Sequence, residues 1–245
     1  MPKALLPGRR VRWERPRPRP ARPLLFSHMA TSANTIVLLG GGGHALVVME
    51  AAQAEGLACA GFYDDSATCV LSRRTGLARL GGLEALRAAP QEAWILALGD
   101  LALRRRLIAS LGTRGAMALA HPRSFVSPSA ALGSGALVGA EACVQAYATI
   151  GAHAIINTGA IVEHECEIGE NAHVAPGATL GGNVSVGADT LVGIGAAVLP
   201  GVRIGARCVI GAGATVVRNV PDGATVVGTP ADATHPGRRT DMRAM

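Results

Sequence analysis

The sequence predicts a small α/β domain followed by a parallel β-helix, and three observations support this. From about residue 34 to 118, short β-branched runs alternate with helix-forming stretches, which is typical of a βαβ unit. Beyond about residue 120, an aliphatic residue recurs every six positions. The 245 residues also include 32 glycines but only two Trp, two Tyr and three Phe, which suits a core too narrow for large rings.

The positive charge of the chain is confined to its first segment. The formal net charge is +6, but residues 1–28 hold Lys3, seven arginines and Glu14, which gives 8 − 1 = +7 and leaves −1 for the rest. A Pro/Arg-rich leader cannot build a core, so residues 1–33 are predicted to be disordered and no nucleic-acid partner is expected. Because Met29 offers a start just before the first strand, a misassigned upstream start is favoured over a functional tail.

Composition also argues against a membrane-spanning protein, a disulfide-stabilised protein and a thiolate zinc protein. No uninterrupted apolar run reaches about 18 residues, so no membrane-spanning segment is expected. The five cysteines are an odd number without C-x-x-C spacing. This pattern argues against a disulfide framework and a thiolate zinc site, and it favours a reducing, cytoplasmic location.

A glycine-rich turn marks the α/β domain, which is placed at residues 34–118. Gly40–Gly43 follow the first predicted strand and lead into His44 and a helix, satisfying G-x-G-x-x-A, and Asp64 and Asp65 follow the second strand. Such a turn is typical of a phosphate or nucleotide cradle, although a structural tight turn is the alternative. About 85 residues are too few for both halves of an NAD site.

The hexad repeats place the β-helix at residues 119–231, with 232–245 as a flexible tail. The aliphatic positions give sixteen consecutive hits from Val126 to Val216, and a small or β-branched residue follows each by four, ending at Val220. Glycine directly follows nine of the aliphatics, which we attribute to tight turns. Three hexads make one triangular coil, so residues eighteen apart should stack at roughly 4.8 Å.

One histidine of the repeats stands among acids. His164 lies in "VEHEC", where Glu163, Glu165 and Glu167 should crowd its imidazole. Carboxylates can hold the tautomer that a general base requires, but a surface histidine among acids would look similar. Gly182, eighteen residues later, should lie one rung away, where the absence of a side chain lets a substrate approach and leaves a backbone N–H as an oxyanion donor.

The histidines of the repeats do not predict a metal site. His121, His153, His164 and His173 are separated by 32, 11 and 9 residues, which does not give clustered ligands. His153 is expected to be a solvated residue of an ordinary repeat. Cys166, at a small inward position, is expected to belong to the core rather than to act as a nucleophile.

The chain from about residue 35 to 231 resembles the bacterial sugar O-acyltransferase family, which includes sialic acid O-acetyltransferases and UDP-4-amino-sugar N-acetyltransferases. The resemblance rests on "GGGGHALVV", "GFYDD", "LGD", "HPRSFVSPSA", "INTGAIVEHECEIGENAHVAPGATLGGNV" and "VVGTPA", in this order. It implies a left-handed β-helix, a Rossmann-like acceptor domain, a homotrimer with active sites between prisms, and acetyl-CoA as donor.

The resemblance also implies roles for individual residues. His164 would be the catalytic base, and Glu165 the acid that raises its basicity. The residues implied at acetyl-CoA are His173, Gly182, Ile194 and Ala212, with Gly182 facing the thioester oxygen. The residues implied at the sugar nucleotide are Gly42, Gly43, His44, Asp64, Asp65 and Gly99. On sequence alone, the stacked Ile194 and Ala212 would be interpreted as filler at a corner.

Two positions depart from the family pattern on the acceptor side. Leu46 stands where Lys or Arg is common, and Leu101 stands where the usual "GDN" pattern has Asn. These departures weaken the implied acceptor contacts more than the donor site. The resemblance does not decide whether the acceptor atom is nitrogen or oxygen.

We therefore expect transfer of acetyl from acetyl-CoA to a sugar by direct attack, with the 4-amino group of a UDP-linked amino sugar as the favoured acceptor. The alternative is an O-acetyltransferase that acts on sialic acid or a related sugar. An NAD-dependent reductase would need a second nucleotide-binding half, and a γ-type carbonic anhydrase would need a different histidine spacing. A non-catalytic or ice-binding prism would show regular Thr rows, which this chain lacks.

Overall fold

A computed structural model describes residues 34–83, 85 and 93–233 of the chain. The predicted disordered leader, residues 1–33, and most of the predicted tail, residues 234–245, lie outside the described residues. Within the described ranges, no helix is both long and apolar enough to cross a membrane.

The N-terminal domain is built on a parallel four-stranded sheet with the order β3-β2-β1-β4. Its strands are β1 (Thr35–Leu39), β2 (Ala58–Tyr63), β3 (Arg79–Gly81) and β4 (Trp94–Leu96), and its helices are α1 (Gly43–Ala54), α2 (Val70–Thr75) and α3 (Leu101–Leu111). Because β1 pairs with β2 on one side and β4 on the other, the strand order reverses there. A crevice therefore opens at the carboxyl ends of β1 and β4.

The C-terminal domain is a left-handed parallel β-helix with three faces, which the chain visits in turn. Face 1 contains β5 (Leu119–Ala120), β8 (Leu137–Val138), β11 (Ile155–Ile156), β14 (His173–Val174), β17 (Leu191–Val192), β20 (Val209–Ile210), β22 (Thr225–Val227) and β23 (Asp232–Ala233). Face 2 contains β6 (Phe125–Val126), β9 (Cys143–Val144), β12 (Ile161–Val162), β15 (Thr179–Leu180), β18 (Ala197–Val198) and β21 (Thr215–Val216). Face 3 contains β7 (Ala131–Leu132), β10 (Thr149–Ile150), β13 (Glu167–Ile168), β16 (Ser185–Val186) and β19 (Arg203–Ile204).

The hexad period fixes both the register and the core of this prism. Strands pair with those eighteen residues away, as Ile161 does with Thr179. The second residue of each short strand points inward, so that Ile156 and Val162 are fully buried. Cys166, in the small-residue register, is also fully buried, and its thiol donates to the Gly181 carbonyl at 3.2 Å. Alternation between an inward and an outward residue therefore repeats on every face.

The nine glycines that follow the aliphatic residues serve close packing of coils, so the tight-turn interpretation is wrong for them. A Cβ at Gly169 would lie 2.5 Å from the Ala188 nitrogen of the next coil, and this glycine has no left-handed φ. Left-handed backbone occurs two residues later in the hexad, at Asn171 (φ 56°) and Asn183 (φ 58°) for example. The turns are thus made at a position that asparagine tolerates.

The last coil departs from the six-residue period. Ile204 bridges to Val220 and Ile210 pairs with Val226, separations of sixteen residues rather than eighteen. Val220, predicted in the small-residue register, therefore takes an aliphatic position and is buried. Strand β23, Asp232–Ala233, lies in the segment that the sequence assigns to the flexible tail, and it pairs antiparallel with β22.

The N-terminal domain covers one end of face 1. The outward residues Leu119, Leu137 and Ile155 of β5, β8 and β11 are buried in one cluster with Ala45 and Val48 of α1. The next outward residue in this column is His173 of β14, which pairs with Ile155. The packing of α1 on the prism therefore brings the start of that helix toward His173.

We predict that Gly169→Ala destabilises the prism by about 1–3 kcal/mol, because its Cβ would push against the backbone of the adjacent coil. The matched variant is Gly213→Asn, at a left-handed position (φ 66°) where a Cβ would meet nothing within 4 Å. Its cost should be smaller, because asparagine tolerates left-handed backbone and its Cβ would meet no neighbouring coil. Urea unfolding of both proteins measures the difference, and equal midpoints would contradict this account of the glycines.

Candidate active site

His164 lies at the corner between faces 2 and 3, two residues after the buried Val162. Its side chain is exposed, and Nδ1 lies 3.2 Å from Oε2 of Glu165. A carboxylate only accepts, so this contact places the ring proton on Nδ1 and leaves the lone pair on Nε2. The corner therefore presents a proton acceptor to solvent.

Only one of the three neighbouring glutamates holds the imidazole. Glu163 uses Oε2 to accept from the backbone N–H of His164 at 3.3 Å. Glu167 is exposed on the outward side of β13. The expectation that three carboxylates crowd the ring is therefore wrong, because alternate residues of a tight corner and a strand point in different directions.

Gly182 lies on the next coil, directly against the His164 ring. A Cβ at this position would be 2.5 Å from Nε2 and 2.6 Å from Cε1 of the imidazole. The structure thus places Gly182 where the eighteen-residue spacing predicts it. Its N–H makes no hydrogen bond within the described part of the chain, whereas its carbonyl accepts from Gly201 at 2.9 Å. A side chain here would displace the ring or cover its free nitrogen.

Ile194 and Ala212 stack at a different corner, between faces 1 and 2. Ile194 is 51% exposed, and its carbonyl accepts from the N–H of Gly213, the residue after Ala212. This corner and the His164 corner are the two edges of face 2. A single chain therefore does not bring Ile194 and Ala212 to His164.

His173 lies half a coil from His164, on the outward side of face 1. It is partly buried, and its Nε2 lies 3.0 Å from Nδ2 of Asn157. Burial lowers the pKa of His173 to about 4, and the nearby His44 and the positive charge of Arg104 act in the same direction. Burial, followed by Arg104, also lowers the pKa of His44 to about 4. Two neutral histidines from different domains thus meet at the joint, a pairing that the sequence analysis did not predict.

The predicted glycine cradle opens on the crevice of the N-terminal domain. Gly42 is the N-terminal cap of α1 and Gly43 is its first residue, while Gly99 follows β4 on the other side of the crevice. A Cβ at any of the three would meet nothing within 4 Å. The first N–H groups of a helix lack intrahelical acceptors, so this open helix start suits an anion.

The two aspartates after β2 have unequal roles. Both oxygens of Asp64 already accept backbone N–H groups, from Gly41 at 2.7 Å and from Ser66 at 2.8 Å. Asp65 accepts from the Leu83 N–H at 2.9 Å through Oδ1. Asp64 therefore holds the glycine turn in place, and Asp65 keeps Oδ2 for a ligand.

A buried arginine that the sequence analysis missed joins the two domains. Arg104 of α3 is only 1% exposed and donates to Oδ1 of Asn171 at 2.8 Å, to the Leu98 carbonyl at 3.1 Å and to the His153 carbonyl. Burial lowers the pKa of Arg104 to about 10, so the guanidinium remains charged at neutral pH. The positive charge near His44 and His173 is therefore permanent.

The expectation that His153 is solvated is wrong. His153 is fully buried, and its ring stacks on Trp94 with the centroids 5.5 Å apart. Neither ring nitrogen has a hydrogen-bond partner within the described residues. Burial and Arg104 lower its pKa. His153 is buried because α3 and β4 of the N-terminal domain cover this corner of the prism.

No metal centre is formed by the residues that the structure describes, since they contain no group of three His, Cys, Asp or Glu side chains able to hold an ion. The candidate residues lie in three separate places: the His164 corner, the Ile194–Ala212 corner, and the joint where the glycine turn approaches His173.

Comparison with known proteins identifies relatives for both domains. Residues 35–111 match the PglD N-terminal domain, and residues 147–182 and 183–218 match the bacterial transferase hexapeptide (six repeats). Comparison with curated proteins gave no match.

Three solved structures are similar over most of both chains. GDP-perosamine N-acetyltransferase from Caulobacter crescentus, solved as a His→Ala variant with CoA and GDP-perosamine, is 39% identical with a TM-score of 0.76, covering 82% of this chain and 97% of that one. The acetyltransferase domain of PglB from Neisseria gonorrhoeae, in complex with acetyl coenzyme A, is 34% identical with a TM-score of 0.77, covering 82% and 100%. WeeI from Acinetobacter baumannii is 26% identical with a TM-score of 0.69, covering 82% and 99%.

We predict that the stability of the protein falls as the pH is lowered from about 6.5 to about 4, because His44 and His173 stay neutral in the folded state and take up protons on unfolding. Each histidine contributes about 1.4 kcal/mol per pH unit in this window. Replacing His44 with Gln should reduce the slope of unfolding free energy against pH by the contribution of one proton. An unchanged slope would contradict the buried, neutral assignment.

Proposed function

We propose, on the premise that the chain belongs to the hexapeptide-repeat sugar acyltransferase family, that it transfers acetyl from acetyl-CoA to the amino group of a nucleotide-linked amino sugar. The observation that carries this proposal is the exposed Nε2 of His164, which is freed by the Glu165 contact and left uncovered by Gly182. A ring nitrogen in this state can take a proton from an attacking amine.

The proposed transfer is direct. Nε2 of His164 removes the proton as the acceptor nitrogen forms its bond to the thioester carbonyl carbon, and Glu165 stabilises the resulting imidazolium. The free N–H of Gly182 is placed to stabilise negative charge on the carbonyl oxygen, and the CoA thiolate leaves. Cys166 takes no part, because it is buried and burial raises the pKa of its thiol to about 11.

The N-terminal domain is the proposed acceptor site. The open start of α1 suits a diphosphate, and Oδ2 of Asp65 suits a hydrogen-bond donor on a nucleobase. A free sialic acid would leave the helix start without a diphosphate, so the O-acetyltransferase alternative is less well supported. Uridine is expected from the sequence, but the relative at 39% identity was solved with a GDP-linked sugar, so the base must be tested.

We also propose a homotrimer in which face 2 packs against the threefold axis. Its outward residues are uncharged: Phe125, Cys143, Ile161, Thr179, Ala197 and Thr215. Face 3 carries Glu167 and Arg203 on its outward side, and face 1 is partly covered by the N-terminal domain. Because face 2 ends at the His164 corner and at the Ile194–Ala212 corner, this packing would join the two corners from neighbouring chains. His173 and the acceptor joint lie beside the second corner.

The proposed location is the cytoplasm, where acetyl-CoA and nucleotide sugars would be the small-molecule substrates. All five cysteines lie in the described residues and none forms a disulfide there. Free thiols of this number suit a reducing compartment.

We predict that His164→Ala lowers kcat by roughly 10²- to 10⁴-fold without changing assembly, since a general base supplies a factor of this size. The matched control is Glu167→Gln, an exposed change on face 3 that should retain wild-type turnover. Release of free CoA thiol measures both. Wild-type turnover in an assembled His164→Ala protein would overturn the mechanism.

Mixing variants tests whether sites lie between chains. Ala212→Trp should block the second corner and be inactive, while co-refolding it with His164→Ala should restore part of the activity, because some interfaces then combine two intact corners. No restoration in verified mixed trimers would contradict the shared site.

We predict that a nucleoside diphosphate at about a hundred times its Kd stabilises the fold by about 2.7 kcal/mol. Thermal-shift titrations with UDP and GDP identify the base. Asp65→Ala should weaken the effect and leave the shift by acetyl-CoA unchanged. No shift with either nucleotide, together with turnover of free sialic acid, would favour the O-acetyltransferase alternative.

A further inference from the structure

Asn157 connects the prism to His173 through an amide whose orientation is fixed. Its Oδ1 accepts the backbone N–H of Thr158 at 2.8 Å. The other end of the amide, Nδ2, is therefore the atom that lies 3.0 Å from Nε2 of His173. An amide nitrogen only donates, so Nε2 of His173 must accept and the ring proton must lie on Nδ1.

The surroundings of His173 keep this ring neutral. Burial is the largest cause that lowers its pKa, and the charged and titratable groups that face it, His44 of α1 and Arg104 of α3, act in the same direction. Its Nδ1 has no partner within the described part of the chain, yet it is not among the fully buried orphan nitrogens. The single ring proton therefore lies on a nitrogen that is not fully buried and that has no acceptor in the described part of the chain.

We propose that Asn157 is a positioning residue that holds His173 as its Nδ1–H tautomer, so that the imidazole donates to an oxygen atom of a substrate bound at the joint between the glycine turn and the prism. The opposite tautomer would present a lone pair and repel an oxygen that only accepts. The inference rests on the proposed function only for the source of the oxygen, which is a carbonyl of acetyl-CoA or a phosphate of the nucleotide sugar.

His164 and His173 thus present opposite hydrogen-bonding groups, an acceptor and a donor, because their partners differ. Glu165 accepts from Nδ1 of His164 and leaves a basic Nε2. Asn157 donates to Nε2 of His173 and leaves a donor at Nδ1. An exchange of amide for carboxylate at residue 157 should therefore convert His173 from a donor into an acceptor.

The experiment compares Asn157→Asp with the wild-type protein by nitrogen NMR of labelled histidine and by kinetics. The wild-type His173 should show a protonated Nδ1 and a bare Nε2, and Asn157→Asp should reverse this pattern. We expect kcat/KM to fall about tenfold near pH 8, the size of one lost hydrogen bond. A rise in KM for acetyl-CoA or for the nucleotide sugar tells which substrate supplies the oxygen.

The pH dependence separates tautomer control from a structural role. An imidazolium carries protons on both nitrogens, so lowering the pH should restore the Nδ1 donor in Asn157→Asp. The ratio of variant to wild-type kcat/KM should therefore rise as pH falls, and any pH dependence that the two proteins share cancels in this ratio. The control is Asn219→Asp, where Oδ1 accepts the Arg203 N–H and an aspartate keeps that acceptor. It should behave as wild type.

A protonated Nε2 in the wild-type spectrum would overturn the proposal, as would unchanged kcat/KM or a pH-independent ratio for Asn157→Asp. If Asn157→Asp does not fold, the wild-type spectrum and the conservative variant Asn157→Ser decide it. The spectrum needs no turnover, so absence of acetyl transfer to every nucleotide sugar would refute the proposed function alone.

Discussion

The close stacking of eighteen-residue coils is the constraint on which the rest of the structure depends. Coils at strand spacing leave no room for a Cβ over the backbone after each aliphatic residue, as at Gly169. The same lack of room operates at the His164 corner, where the imidazole ring fills the space that a side chain at Gly182 would need. One packing rule thus closes the prism and keeps the ring nitrogen uncovered.

Arg104 adds a second constraint, because it sets both the position of the N-terminal domain on the prism and a permanent positive charge near His44 and His173. A guanidinium buried away from carboxylate contact is costly, and its three hydrogen-bond acceptors offset part of that cost. Those acceptors belong to the loop after β4 and to one corner of the prism, so they fix the N-terminal domain on face 1. Burial lowers the pKa of His44 and of His173, and the charge of Arg104 acts in the same direction. In the proposed mechanism, a neutral histidine can donate to a substrate without competing for the proton that His164 takes.

The sequence predicts the prism well because its information is local and periodic. The six-residue period is sufficient by itself to place Gly182 over His164. Contacts between domains are different, since no period relates α3 to the corner at His153, and the burial of that histidine follows only from docking. The sequence does not reveal the three-residue strand β3 or the six-residue helix α2, because short segments carry little periodic signal. Val220 was misplaced where the coil shortens to sixteen residues.

Function in such a prism must come from residues that face outward, because the inward positions are the same on every rung. His164 and His173 are separated by nine residues, half of one coil, and so point to opposite sides of the same chain. This separation prevents one chain from using both histidines on one substrate. In the proposed trimer, neighbouring chains would supply one histidine each. A base held by a carboxylate on one chain would meet a donor held by an amide on the next. In the proposed trimer, the repeat that makes the fold simple would therefore also divide the acetyl-transfer site between neighbouring copies.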